Sequence, residues 1–365
     1  LIFPHPLTYD YYPKQIPIIG WADWRAIVSL IVYAGLFFYA LLKLKKKSIR
    51  AYAIFFYLLS FSIVSNVLFP IGTFMNERFM YISSFGFCIV LGLLFSTLLQ
   101  QHFTIKSLSL IFLVIFLSGY TYKTIDRNNA WKDDFTLFLT DVKTSLNSAK
   151  SNTSAGGKLI EKAMAIKDTS LRNAYFKQAI QYLEKAIQIH PTYADAILLL
   201  GNAHFEYQRD YERTLASYME ILKRNPYNDH ALKNILIVFN TYEQVDKKIP
   251  VLEYLLTYHP NNYDINYRLG VLYGRYKSNL DKAIPILEKA VQLKPKSKDA
   301  LKDLGVAYGM KNEIEKSLEI FLKALTYYPN DDQIYYNIGI SYARLGHEQK
   351  AQEYFAKAKQ MNPNN

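Results

Sequence analysis

Leu304-Gly305-Val306-Ala307-Tyr308 decides how the C-terminal part of this sequence folds, because it returns at a fixed interval. The same pattern recurs as Leu269-Gly270 with Tyr273 and as Ile338-Gly339 with Tyr342. Prolines keep step with it at Pro191, Pro226, Pro260, Pro295, Pro329 and Pro363, giving spacings of 35, 34, 35, 34 and 34. A second amphipathic stretch precedes several of these prolines: Ala179, Leu183 and Ala186; Ala283, Leu287 and Ala290; Ala351, Phe355 and Ala358. Small residues at the Gly and Ala positions let two helices approach closely. Bulky residues at the Leu, Tyr and Phe positions fill the seam, and each proline ends the second helix by removing a donor and crowding the turn before it.

A helix pair repeated every 34 residues is the pattern of tetratricopeptide repeats. About six units are expected over residues 151–365. Thr153-Ser154-Ala155-Gly156-Gly157 reads as a flexible start to a leading unit whose first helix begins near Ser154. The unit from Asp229 to Pro260 has Leu236 in place of the glycine and Lys248 in place of an alanine, so its helices are expected to pack differently. Lys350, Gln352, Glu353, Lys357 and Lys359 give the last unit a polar face. In such arrays the first helices line a concave surface. Polar residues fall there two before the glycine position, at Asn234, Arg268, Asp303 and Asn337, and Asn202 follows Gly201. Side chains of this kind can bond an extended peptide without reading its sequence, so these five are candidate peptide contacts.

Residues 1–122 have a different character, rich in Leu, Ile, Phe and Tyr and poor in charge. Apolar runs over about 26–42, 51–68, 82–99 and 107–122 approach the length that a bilayer core requires. The fold class is therefore all-α: polytopic transmembrane helices followed by an extracytoplasmic repeat solenoid. Lys43, Lys45, Lys46, Lys47 and Arg50 mark the first inter-span loop as cytosolic. Alternation then places the N-terminal segment, the loop around Pro70–Tyr81 and the repeats together outside, whether in a periplasm or an endoplasmic-reticulum lumen. The chain would be a multi-pass integral membrane protein in contact with lipid.

Composition narrows the chemistry. The net charge of +12 is accounted for by the cytosolic cluster and solvated repeat faces, so nucleic acid is not expected as a partner. Cys88 is the single cysteine, and the seven histidines show no metal-ligand spacing, so neither a disulfide, a metal nor another cofactor is expected. The sequence opens on Leu1, and further chain is expected upstream. Between the spans and the repeats, Trp131, Phe135 and Phe138 are spaced to share one face of a juxtamembrane helix within a connector over 123–150. Asn152-Thr153-Ser154 is a glycosylation sequon.

One charged cluster stands between two apolar runs. The loop Phe69-Pro70-Ile71-Gly72-Thr73-Phe74-Met75-Asn76-Glu77-Arg78-Phe79-Met80-Tyr81 carries an adjacent acid and base with a tyrosine three residues on. Charge at a membrane boundary is costly unless paired or wet, which makes the cluster a candidate site.

Phe69-Pro70-Ile71-Gly72, Glu77-Arg78, Tyr81 and Ser84-Phe85-Gly86-Phe87 resemble a block of the transmembrane-and-tetratricopeptide-repeat (TMTC-like) family. Arg127-Asn128, Trp131 and Leu137-Phe138 match in order, and Pro4, Leu7, Asp10 and Tyr11 resemble the loop before these spans. The resemblance implies a C-type glycosyltransferase that moves a sugar, mannose in relatives, from a polyprenyl-phosphate donor to Ser or Thr of extracytoplasmic proteins. It places the catalytic base in an outer loop upstream of Leu1, so no catalytic residue is assigned here, and Asp10 and Asp23 do not match that motif. Arg78 is then the candidate partner of the donor's lipid phosphate, with Glu77 orienting it and Tyr81 bonding phosphate or sugar. The chain alone is expected to be inactive. A different reading is a non-catalytic, membrane-anchored scaffold whose repeats gather extracytoplasmic partners.

Overall fold

The computed structural model describes residues 7–17, 19–66 and 79–362, and among them all regular structure is helical. Two compact units meet at Glu220/Ile221.

The first unit opens with an extended and turn segment over 7–17, then α1 (Trp24–Leu44), α2 (Ile49–Val64), α3 (Met80–Leu99) and α4 (Phe103–Ala130). Three of these, α1, α3 and α4, are long and apolar enough to cross a membrane. The second expected span is shorter than its apolar run. α2 has 16 residues, about 24 Å at 1.5 Å per residue, and Asn66 just past its end is left-handed at φ 57°. Its last expected residues, Val67 and Leu68, lie outside the described residues. α2 is nonetheless well packed. A Cβ on Gly86 of α3 would fall 2.5 Å from the Ala53 carbonyl, so the backbones touch, and Ser60 Oγ donates to Ser83 Oγ at 3.0 Å. Small residues and hydroxyl pairs of this kind hold helices together where lipid removes the hydrophobic drive.

The fourth expected span ends at Tyr122, but α4 runs on to Ala130. Polarity ends a span without ending a helix, and residues 123–130 contain no glycine or proline to stop it. The connector over 123–150 is accordingly not one helix. Residues 123–130 finish α4, and α5 (Asp134–Thr144) starts afresh with Asp133 accepting the Thr136 N–H at 2.7 Å. Trp131 sits in the break, 59% exposed and beside the Arg127 guanidinium, so it shares no helix face with Phe135 and Phe138.

α6 (Ala149–Ala165), α7 (Thr169–Ile189), α8 (Ala194–Gln208) and α9 (Tyr211–Arg224) follow. Thr153–Gly157, expected as a flexible start, is instead the middle of α6, with Thr153, Ala155 and Gly156 buried. Gly156 is there for proximity rather than mobility: a Cβ on it would lie 2.7 Å from Leu183 of α7.

The second unit contains α10 (Asp229–Val238), α11 (Val245–Tyr258), α12 (Tyr263–Val271), α13 (Leu280–Leu293), α14 (Lys298–Met310), α15 (Ile314–Tyr327), α16 (Asp332–Arg344) and α17 (Glu348–Met361). Three of the four pairs meet as the repeat pattern requires. The glycine of the first helix faces a bulky residue of the second: Gly270 faces Leu287, Gly305 faces Phe321 and Gly339 faces Phe355, all closer than a Cβ would allow. First helices start on side-chain caps, with Asn228, Asn262, Ser297 and Asp331 each accepting an N–H three residues on. The unit from Asp229 to Pro260 does differ. α10 has only 10 residues, and Lys248 donates to the Phe239 carbonyl at its end, 2.9 Å away. Burial pushes the Lys248 ammonium below its usual pKa.

The 35-residue interval from Pro260 to Pro295 has a physical explanation. After α12 the chain makes a π-turn, Leu272–Tyr276, which absorbs one extra residue without breaking the helix pair. The left-handed residue of the inter-helix turn moves with it. Ser278 lies eight residues after Gly270, whereas Asn312 and Gly346 lie seven after Gly305 and Gly339.

Substituting Gly305→Ala should lower the stability of the repeats by about 1–2 kcal/mol, the upper part of the roughly 1–3 kcal/mol overpacking range less the roughly 1 kcal/mol gained from alanine's helix propensity. Thermal unfolding checks this, and a double-mutant cycle with Phe321→Ala should be non-additive, since the ring is what the new methyl meets.

Candidate functional site

Of the loop around Pro70–Tyr81, Glu77 and Arg78 lie outside the described residues. Tyr81 lies in the first turn of α3 and is 83% exposed, and its carbonyl accepts Ser84 Oγ at 2.6 Å. The Ser60–Ser83 bond lies two residues further along α3. It ties α2 to α3 beside this loop.

The five polar repeat residues are not equally available. Asn202 Oδ1 accepts the Tyr218 hydroxyl at 2.6 Å within its own repeat. Asn234 is half-buried and engaged within the protein. Arg268 Nη2 donates to Asn240 at 2.8 Å. Asp303 is buried, 7% exposed, and accepts Tyr267 at 2.9 Å and Arg275 Nε at 3.1 Å. That bond raises the Arg275 guanidinium pKa further, and burial raises the Tyr267 phenol. Arg275 reaches Asp303 from the π-turn, so the extra residue of this repeat places a cation over the neighbouring first helix. Asn337 is half-buried on α16, where its carbonyl accepts Ser341 Oγ at 2.9 Å. Two of the five, Arg268 and Asp303, thus bond into the preceding repeat, and Asn202 bonds within its own, which spacing alone does not reveal.

A denser polar cluster lies in the first unit, and sequence reasoning did not single it out. Asp141 of α5 is fully buried. Arg127 of α4 grips it bidentately at 2.5 and 2.7 Å, and the Tyr9 main-chain N–H donates to it at 2.7 Å. Around it Thr8 pairs with Ser145 at 3.0 Å, Ser145 donates to Ser151 at 2.8 Å, and Ser148 donates to the Tyr12 carbonyl at 2.6 Å. At the rim Gln15 bonds the Thr144 carbonyl and the Asn147 N–H, and Lys150 pairs with Asp10 at 2.9 Å. Burial raises the Tyr9 phenol above its usual pKa. The two acids considered upstream thus have structural work: Asp10 on Lys150, and Asp23 as the N-cap of α1, gripping Arg25. Arg127 carried a signal in the sequence as part of the Arg127-Asn128 match. Asp141 carried one only as an acid amid an apolar helix pattern.

Among the described residues no group of His, Cys, Asp and Glu is arranged to hold a metal ion. The sequon asparagine is fully buried, and its Nδ2 donates to the Leu146 and Ser148 carbonyls at 3.1 and 2.7 Å. Asn152 should therefore stay unglycosylated in a eukaryotic secretory host. An unshifted gel mobility on glycosidase treatment, and on Asn152→Gln, checks this.

Residues 276–336 and 333–365 each match a tetratricopeptide-repeat family. The mouse (Mus musculus) protein O-mannosyl-transferase TMTC3 is 26% identical over 224 residues, covering 60% of this chain and 23% of that protein. The Drosophila melanogaster protein O-mannosyl-transferase Tmtc3 is 25% identical over 229 residues, covering 60% of this chain and 23% of its own length. A solved structure of MamA covers 56% of this chain at 21% identity and a TM-score of 0.32. The chain spans about a quarter of the length of these two curated relatives. It carries tetratricopeptide repeats joined to helices apolar enough to cross a membrane, and it is TMTC-like, similar to protein O-mannosyl-transferases of that family over about half its length.

Proposed function

We propose that this chain is part of a multi-pass membrane glycosyltransferase. It transfers a sugar, mannose by similarity, from a polyprenyl-phosphate donor to Ser or Thr hydroxyls of extracytoplasmic proteins, and its repeats bind the acceptor or a partner protein. The observation that carries the reading is the similarity to protein O-mannosyl-transferases in a chain that joins apolar helices to repeats.

The topology is supported by the contact between residues 8–15, which precede α1, and residues 141–150, which follow α4. Segments bonded to each other lie on one side of a bilayer, so the chain between them crosses an even number of times. Four crossings, with α2 as the short one, satisfy this. They leave the Lys43–Arg50 loop inside and the loop ending at Tyr81 outside with the repeats. In that loop Arg78 pairs with the donor's phosphate, since a guanidinium fork matches phosphate oxygens, and Glu77 and Tyr81 orient the arginine and the donor. On the repeats, the half-buried Asn337, Asn202, Asn234 and Arg268 are the candidate contacts for an extended acceptor, while Asp303 acts behind them by holding Tyr267 and Arg275.

Arg78→Ala in the membrane-embedded enzyme with its upstream portion present should lower glycosyl transfer at least tenfold, the effect of a lost charge-assisted bidentate contact of about 1.5–3 kcal/mol. Transfer to an acceptor peptide, measured with a short-chain polyprenyl-phosphate mannose, checks this. Unchanged transfer by a folded variant refutes the assignment.

A further inference from the structure

The repeats have a register that can be carried backwards past their first proline. In the later units the cap of the first helix lies two residues after the proline and the glycine ten after it: Ser297 and Gly305 follow Pro295, and Asn262 and Gly270 follow Pro260. In the leading unit Ser148 caps α6 and Gly156 meets Leu183, so both count back to Leu146. A third observation agrees. Asn266 Nδ2 donates to the carbonyls of Pro260 and Asn262, and Asn152 Nδ2 donates to those of Leu146 and Ser148. Leu146 therefore stands where the other units have proline.

That register gives α5 an identity. α13 ends two residues before Pro295, and α5 ends two residues before Leu146. α5 is the second helix of a repeat, yet what precedes it is α4. The position eight before the proline carries the bulky seam residue: Leu183, Tyr218, Leu252, Leu287, Phe321 and Phe355. In α5 it is Phe138. The position five before is buried and apolar in every other unit: Ala186, Ile221, Leu255, Ala290, Ala324 and Ala358. In α5 it is Asp141.

Phe138, left without a first-helix partner, and Asp141, the exception, are both answered by the segment that precedes α1. Tyr9 packs on Phe138 with ring centroids 4.9 Å apart, at the seam where a first-helix glycine would sit. The Tyr9 N–H and Arg127 satisfy Asp141. Thr8, Asp10, Tyr12 and Gln15 then bond the loop that leads into α6. We propose that residues 8–15, together with Arg127 at the end of α4, replace the missing first helix of the α5 half-repeat. The segment is an N-terminal cap for the repeat array, supplied by the membrane half and pinned by Asp141. A solenoid needs its open end covered. Here the covering residues lie more than a hundred positions upstream of the helix they cover. Alanine is tolerated at this position in four units, so the carboxylate serves the cap and not the packing of α5. This inference does not depend on glycosyl transfer.

The test uses the full chain in detergent micelles or nanodiscs, with Cys88→Ser to remove the native thiol and Thr8→Cys as a reporter. With Asp141 in place the position 8 thiol should react slowly with a small maleimide, since Thr8 is 5% exposed. Asp141→Ala should accelerate labelling about tenfold or more, the ratio expected for one lost charge-assisted hydrogen bond, while the helical circular dichroism of the repeats is retained. Gln15→Ala with Lys150→Ala, at the solvent rim, should give a smaller acceleration in the same direction. Should Asp141→Ala unfold the chain by stranding the Arg127 charge, Asp141→Ala with Arg127→Met removes both charges and carries the same expectation. Protection of the position 8 thiol that is unchanged in the folded single or double variant overturns the proposal.

Discussion

Every repeat but the one from Asp229 to Pro260 depends on how closely two helices approach at one glycine. The glycine has no Cβ, so a leucine or aromatic ring of the partner helix fills the space where one would be. Helix pairs held that tightly leave little freedom in the turns between them, and those after Gly270, Gly305 and Gly339 each carry a left-handed residue, Ser278, Asn312 or Gly346. When the count grows by one, the backbone changes before the contact does. The extra residue between Pro260 and Pro295 is taken up as a π-turn, and Gly270 still meets Leu287.

The same contact explains how far the sequence could be read. Gly305, Gly270 and Gly339 recur with their prolines, so the repeat fold was legible from a period and a few residue types. Gly156 was misread as a flexible start because Gly156-Gly157 after two hydroxyl residues looks like a loop. Only the Leu183 side chain beside it reveals a helix contact. The apolar runs located the apolar helices but not their ends. Ile49–Val64 stops short of its run, and α4 continues eight residues past its run. Hydropathy records where lipid is tolerated, whereas caps and backbone hydrogen bonds decide where helices stop.

The candidate site was legible to different degrees. Charge beside an apolar run marked Glu77 and Arg78 without any periodicity. The polar row on the first helices was visible in the repeat alignment, but its internal bonding was not. Tyr218, Asn240, Tyr267 and Arg275 come from other positions of the repeat, and spacing says nothing of side-chain reach. Asp141 was hidden for a further reason. Its significance depends on a register that starts at Leu146, where no proline marks it, and on partners far away in sequence.

The Tyr9–Asp141 bond joins positions 132 apart, and the whole set of apolar helices lies inside the loop it closes. Assembly thus acquires an order. Synthesis delivers residues 8–15 first, yet their binding surface on α5 and α6 is made only after α1 to α4 have emerged. Closing so long a loop by diffusion is slow and entropically costly. In the four-crossing topology proposed above, insertion of the intervening helices would shorten the search by returning both ends to one membrane face. On the same topology, a chain whose helices inserted in the wrong number would present the two ends on opposite faces and leave Asp141 without the Tyr9 N–H and the Thr8 and Tyr12 contacts around it. Under that topology the buried carboxylate would be a register of correct insertion, recorded in the stability of the first repeat.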